Sequence, residues 1–285
     1  MKADIWRFLG AMINPSKNRI PWREIVGLIP AGGHARRIDP LPCSKELFPV
    51  GFRPASKGGG LRPKVVSHYL LEKMHLAGIT KVYIILRQGK WDIPSYFGDG
   101  SILNLSLAYL MMRLPFGAPY TIDQAYPFVQ HALVAFGFPD ILFQPDDAFG
   151  RLLDCQIATS SDIVLGIFMA HQHEMMDMVE VDEGGRVHAM VLKPTQTHLR
   201  YAWIFALWTP LFTSYLHEFL QKRREGDDNS NASNHEELSV GHVIQAAIRE
   251  GVRAHAVRFS DHTYLDIGTP DDLVKAIQWG TKERS

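Results

Sequence analysis

The apolar positions of the chain alternate between short continuous runs and longer stretches with helical spacing. IVGLIP at 25–30 is a short buried run, KVVSHYLLEKMHLA at 64–77 repeats apolar residues every three or four positions, and KVYIIL at 81–86 is a second β-rich run. Gly78 supplies the left-handed stop for the intervening helix. Strand, loop, helix, strand in one sheet predicts a right-handed parallel crossover. Further strands are expected at ILF (141–143), at DIVLGIFMA (162–170), and at DMVEV (177–181) and RVHAMVL (186–192) flanking the turn Asp182-Glu183-Gly184-Gly185. SILNLSLAYLMM at 101–112 alternates at Leu103, Leu105, Leu107 and Tyr109, which reads as a strand, although its length admits a helix. Residues 209–222 and 237–250 read as helices, with the polar segment EGDDNSNASNHEE between them as a solvated loop. Thr269 followed by Pro270, Asp271 and Asp272 places an N-cap, a first-turn proline and two acids, so a helix is predicted from 270 to about 279. Strands alternating with helices indicate an α/β sheet.

Charge and composition narrow what such a sheet binds. Lys plus Arg and Asp plus Glu both total 30 in 285 residues, so net charge gives no reason to expect nucleic acid or an anionic membrane. Two cysteines, Cys43 and Cys155, make no disulfide framework and suit a reducing compartment. No apolar stretch approaches the roughly 18 residues that span a bilayer, and MKADIWRFLGAMINPSKNR does not read as a signal peptide; the expectation is a cytoplasmic protein. Residues 1–24 form an N-terminal extension with Trp6, Phe8, Met12, Ile13 and Trp22. Three fates are open to it: capping the sheet, packing on a sister subunit in a homo-oligomer, or fraying. Residues 25–285 form a single domain on this reading.

Candidate chemistry begins just past the first strand, in PAGGHARRIDPLPCSK at 30–45. A Gly-Gly turn lets a phosphate approach backbone N–H groups, and Arg36, Arg37 and Lys45 add charge that a polyphosphate neutralises. A tight turn followed by a solvated basic surface is the alternative. GGHARR lacks G-x-G-x-x-G, and no G-K-[ST] follows, which argues against a dinucleotide oxidoreductase and a P-loop ATPase. His171 and His173 in HQHE, without cysteine partners, read as surface residues and not as metal ligands.

AGGHARRIDPL at 31–41 and SKELFPV at 44–50 resemble the A-G-G-x-G-T-R-L-x-P-L and S/P-K-x-L-x-P-V motifs of the sugar-1-phosphate nucleotidyltransferases. The similarity continues through RPKVVSHYLLEKMHLAGITKVYIIL, GDGS at 98–101, QPDD at 144–147, VEVDEGGRVHAMVLKP at 179–194 and YLDIGTPDDLVKA at 264–276. The resemblance implies a Rossmann-like α/β fold with a mostly parallel sheet, helices on both faces, and a cleft at the carboxyl ends of the strands. It implies Mg²⁺-dependent transfer of a nucleoside monophosphate from a nucleoside triphosphate, dTTP or UTP, to a sugar 1-phosphate, with release of pyrophosphate. By the same resemblance Ala31, Gly32 and Gly33 lie on the nucleotide, Arg37 clamps its phosphates, Lys45 supports the α-phosphate, Asp146 and Asp266 hold Mg²⁺, and Lys193 grips the sugar phosphate, while Arg36, at the motif's threonine, is either a third cation on the nucleotide's phosphates or a surface arginine.

The departures fall where base and sugar are read. Ala35-Arg36 replaces the motif's G-T, Leu192 replaces the acid before the motif lysine, and YAWIF at 201–205 replaces Y-x-x-T-G. Thr121 stands at the glycine that opens the base-recognition helix, Arg113 near the glutamine that reads the base, and Asp177 at the glycine of Y-G-V-V. GFRPASKGGGLRP at 51–63 is an insertion, either a lid over the phosphates carrying Arg53, Lys57 and Arg62 or a surface loop. Two further functions therefore stay open: transfer to a non-sugar phosphate, and a non-catalytic homologue that binds a nucleotide sugar and regulates a partner.

Overall fold

In the computed structural model, residues 24–35, 37–55, 59–112, 117–227 and 238–282 are described. Residues 1–23, Arg36 and Arg113, for which the sequence suggests roles, lie outside these segments.

The strands are β1 (Ile25–Ala31), β2 (Pro49–Pro54), β3 (Leu61–Val65), β4 (Lys81–Leu86), β5 (Ser106–Met111), β6 (Leu133–Gly137), β7 (Ile141–Phe143), β8 (Ile163–Met169), β9 (Asp177–Val181), β10 (Val187–Leu192), β11 (Tyr201–Trp208), β12 (Ala254–Arg258) and β13 (Tyr264–Asp266). The helices are α1 (Val66–Leu76), α2 (Asp92–Phe97), α3 (Ala118–Ile122), α4 (Tyr126–Val129), α5 (Ala148–Thr159), α6 (Pro210–Asp227), α7 (Val240–Arg249) and α8 (Pro270–Lys282). The ambiguous stretch 101–112 is a short 3₁₀ turn leading into β5, so the alternation, not the length, marks its structure. The expected turn between β9 and β10 closes with Gly185 at φ 89° and its N–H on the Asp182 carbonyl, 3.0 Å.

Among the described residues, nine strands form the main sheet, in the order β10-β9-β11-β6-β1-β4-β5, with β8 on β11 and β12 on β8. The half containing β6, β1, β4 and β5 is parallel, as the crossover pattern predicts, whereas β11 runs antiparallel to β6, β8 and β9. Strand residues alternate between two cores. Val26, Leu28, Val134 and Phe136 face α3, α4, α6 and α7; Ile29, Ala31, Leu133 and Ala135 face α1, α2 and α5. Helices thus cover both faces, and Leu71 and Met74 of α1 are completely buried beneath one of them. Truncating either to Ala would cost about 2–5 kcal/mol.

The insertion is not a shapeless loop: β2 and β3 form an antiparallel hairpin that α8 packs against. Val50, Val66, Tyr69, Leu142, Ile267 and Ala276 make a third, small core that joins hairpin, α1, β7 and α8. Thr269 caps α8 as its sequence suggests. The Asp272 N–H donates to Thr269 Oγ1 at 3.3 Å, and the Thr269 N–H donates to Asp272 Oδ2 at 3.0 Å.

Candidate active site

β1 neighbours β4 on one side and β6 on the other, so the chain leaves β1 at a point where strand order reverses. In open α/β sheets that crevice, at the carboxyl ends, is where ligands bind. The segment that fills it is shaped by backbone demands. A side chain at Gly32 would strike Met112 Sδ at 2.6 Å and touch Thr121 Cγ2 at 3.7 Å, so Thr121, buried in α3, backs the glycine. Arg87 Nε donates to the Gly33 carbonyl at 3.4 Å. Ala35 adopts φ 54°, the left-handed region, and its carbonyl accepts the N–H groups of Ile38 (3.0 Å) and Asp39 (3.1 Å). This turn carries Arg37 outward, and its guanidinium lies over Gly268, where a Cβ would come within 2.5 Å of Nη2.

Lys45 sits in a 3₁₀ turn, Lys45–Leu47, that is pinned from α2: the Ser44 N–H and Oγ donate to the two carboxylate oxygens of Asp92 at 2.7 and 2.8 Å. From there Lys45 makes an ion pair with Asp140, three residues past the end of β6. β13 pairs antiparallel with β7 so that Asp266 stands opposite Ile141, and the Ile267 N–H donates to the Asp140 carbonyl at 3.0 Å. Asp140 and Asp266 are therefore brought side by side. Burial, then the charge of Asp140, push the Asp266 carboxyl up to about 6 against the opposing pull of Lys45 and Arg37. Burial acts to lower the Lys45 ammonium, yet the charge and hydrogen bond of Asp140 outweigh it, and Lys45 stays cationic at neutral pH. Directly beneath, Glu46 and Lys90 form a second ion pair sealed from solvent.

The structure separates the other sequence candidates from this cluster. Asp146 stands three residues beyond β7, at the opposite end of the β7–β13 pairing from Asp266; it is exposed and pairs with the buried Lys73. The expectation of an Asp146–Asp266 pair gives way to Asp140–Asp266. Two Pro-Asp steps occur in FPDILFQPDD, and the first follows β6, a strand the periodicity reading did not identify. Lys193 follows β10 directly, with φ 40°, and lies near Asp177, whose carboxyl burial raises and Lys193 opposes. Asp177 Oδ2 accepts from Ser239 Oγ at 3.3 Å, at the start of α7. Among the described residues no hydrogen bond or ion pair links Lys193 to Lys45, Asp140 or Asp266. Glu46, Lys90 and Asp92 were not signalled by the sequence reading, although Glu46 is the residue after Lys45 in SKELFPV.

Two adjacent carboxylates, one of which burial and the other's charge keep protonated up to about 6, are a donor set that fits a hard divalent cation. Mg²⁺ sites use one or two carboxylates and leave the remaining positions to ligand phosphates and water. Arg37 and Lys45 flank the same point with positive charge, so the cluster suits a polyphosphate.

The family described as nucleotidyl transferase matches residues 26–283. Among curated proteins the chain is 24% identical to the low-salt glycan biosynthesis nucleotidyltransferase Agl11 of Haloferax volcanii, over 91% of this chain and 67% of that protein. It is 25% identical to a glucose-1-phosphate thymidylyltransferase of Actinoplanes sp. over 89% of this chain and 77% of the relative. A third relative, the glucose-1-phosphate thymidylyltransferase of Streptomyces antibioticus, is 23% identical, and the match spans 64% of its length. The solved structure of a UDP-glucose pyrophosphorylase complexed with UDP-glucose superposes with a TM-score of 0.71 at 17% identity, covering 92% of this chain and all of that one. That likeness establishes the fold. Among the described residues no helix is long and apolar enough to cross a membrane.

Proposed function

Because the chain belongs to the nucleotidyl transferase family, we propose that it transfers a nucleoside monophosphate from dTTP or UTP to a sugar 1-phosphate and releases pyrophosphate. The observation that carries this reading is the convergence of Arg37, Lys45, Asp140 and Asp266 at the carboxyl ends of β1 and β6. An oxygen of the sugar phosphate attacks the α-phosphorus in line; the bond to the bridging oxygen breaks, and its electron pair leaves with pyrophosphate. No protein nucleophile is needed. Lys45, cationic and held in place by Asp140 and the Ser44–Asp92 clamp, neutralises charge on the α-phosphate. Arg37 sweeps over Gly268 to reach the outer phosphates. Asp140 and Asp266 would hold Mg²⁺. When bound, the cation screens the phosphate oxygens and stabilises the departing pyrophosphate. The Lys193 ammonium is assigned to the acceptor phosphate.

The acceptor end carries its own signature. Leu192 and Asp177 are direct register partners across β9 and β10. Where the resemblance places an acid at 192 and a glycine at 177, this chain has an apolar residue and a carboxylate, so the cross-strand pair keeps one carboxylate on the opposite strand. That supports an acceptor whose hydroxyl pattern differs from that of glucose.

A panel of nucleoside triphosphates against sugar 1-phosphates, read by pyrophosphate release, tests the assignment. Mg²⁺-dependent release with at least one sugar 1-phosphate is expected, and Lys193→Ala should raise the acceptor KM while leaving triphosphate affinity in place. Release that ignores chelator, or none across the panel, would overturn it.

A further inference from the structure

The β2–β3 hairpin lines a cavity of about 600 Å³ whose lining includes none of Arg37, Lys45, Asp140 and Asp266. Leu47, Val65, Tyr96 and Ile102 supply apolar surface to it, and Arg53 and Arg62 supply charge. This volume is in the range of small-molecule sites, and the mix of apolar surface with a few charged groups is their usual composition.

The two arginines are the informative part. They are direct cross-strand partners, Arg53 on β2 opposite Arg62 on β3. Like charges placed directly opposite in a sheet destabilise it, and among the described residues neither guanidinium has a carboxylate partner, whereas their neighbour Lys64 is neutralised by Glu72 at 2.8 Å. Arg53 Nε is shielded from water and makes no hydrogen bond. A buried cationic donor without an acceptor costs free energy that a bound anion restores. Two planar forks side by side match the several oxygens of one dianion better than those of a single carboxylate. Tyr96 and Ile102, both partly exposed at the rim, offer an apolar surface for whatever the anion is attached to.

We propose that this cavity is a second ligand site, separate from the Arg37–Lys45 cleft, for a phosphorylated small molecule whose phosphate lies between Arg53 and Arg62 and whose ring rests on Tyr96, Leu47 and Ile102. Leu47 belongs to the turn that carries Lys45, so the site adjoins the catalytic segment without sharing its charged groups.

Isothermal titration of the full chain with naphthyl phosphate tests this, using naphthol and inorganic phosphate as the halves of the probe. The Arg37→Ala/Lys45→Ala double variant removes binding in the catalytic cleft. The expected result is saturable binding of naphthyl phosphate that is kept in this double variant and weakened about tenfold or more by Arg53→Gln and by Arg62→Gln. Each half of the probe should bind about tenfold more weakly than the whole. Arg62 is exposed, so its variant keeps the test informative if Arg53→Gln disturbs the hairpin. The proposal is overturned by no saturable binding to the wild-type chain, by binding lost with Arg37 and Lys45, by binding indifferent to both glutamine variants, or by naphthol binding as well as naphthyl phosphate.

Discussion

Lys45 and Glu46 are neighbours in the chain and end in opposite electrostatic situations. Glu46 pairs with Lys90 where their side chains are 3% and 5% exposed, one carboxylate against one ammonium. Lys45 pairs with Asp140 at 16% and 15% exposure, and a second carboxylate, Asp266, stands beside them. Burial raises Glu46 and lowers Lys90, each resisted by the other's charge, which is the pattern of a pair that must stay together. In the upper cluster burial and a like charge raise Asp266, and this excess of carboxylate is what the proposed cation would offset.

The two clusters should respond differently to mutation. Asp140→Asn should reduce turnover by about 10²–10³-fold or more, with only a small change in thermal stability, because the lost partner of Lys45 is offset by relief of the repulsion on Asp266. Asp147→Asn, at an exposed residue paired with Arg151, should leave turnover unchanged. In the sealed pair the effect should appear in folding. Glu46→Leu strands the Lys90 ammonium and should cost about 3–5 kcal/mol in urea denaturation, most of it recovered by adding Lys90→Met. A Glu46→Leu protein as stable as the parent would remove the distinction between the clusters.

The two clusters differ in titration as well. Between its ordinary value of 3.8 and about 6, Asp266 keeps in the fold a proton that the unfolded chain releases. Its contribution to stability without metal is therefore present below pH 4 and is lost as pH rises through 6. Divalent-cation affinity should rise over the same window, since the ligand must be ionised. Asp266→Asn should remove both dependences, as followed by denaturation and metal titration across pH 4–8. The smallest expected effect is at Ala35. Its φ of 54° is costly for any residue with a Cβ. Ala35→Gly should gain about 0.5 kcal/mol after the glycine entropy cost, with turnover unchanged, as measured by thermal unfolding.

Much of the fold is legible in the sequence because its strands and helix are cleanly periodic: the strand at 81–86, the strand ILF and the hairpin around Asp182–Gly185 all follow from runs and turn residues. β6 escaped that reading because Leu133–Gly137 is buried on both faces and short, so it shows neither alternation nor length. Without a periodic signal for β6, the sequence points to Asp146 after β7, whereas the structure sets Asp140, just beyond β6, beside Asp266. The positively charged side of the site, Arg37 and Lys45, could be seen in sequence because it rides on the loop after β1. The pairing of Asp140 with Asp266 could not, since 126 positions separate them and only the β7–β13 ladder joins them. The β2–β3 hairpin was hidden by its glycines, which suggested a loop, although Arg53 and Arg62 face each other across it.

The proposed function puts Asp140, not Asp146, with Asp266 at the cation. Mn²⁺ binding in the presence of a non-hydrolysable nucleoside triphosphate, followed by the free-Mn²⁺ electron paramagnetic resonance signal against a protein-free control, measures this for the parent chain and for Asp140→Asn, Asp146→Asn and Asp266→Asn. Added protein should lower the free-Mn²⁺ signal for the parent and for Asp146→Asn and leave it unchanged for Asp140→Asn and Asp266→Asn. Binding retained in Asp140→Asn and lost in Asp146→Asn would overturn the assignment.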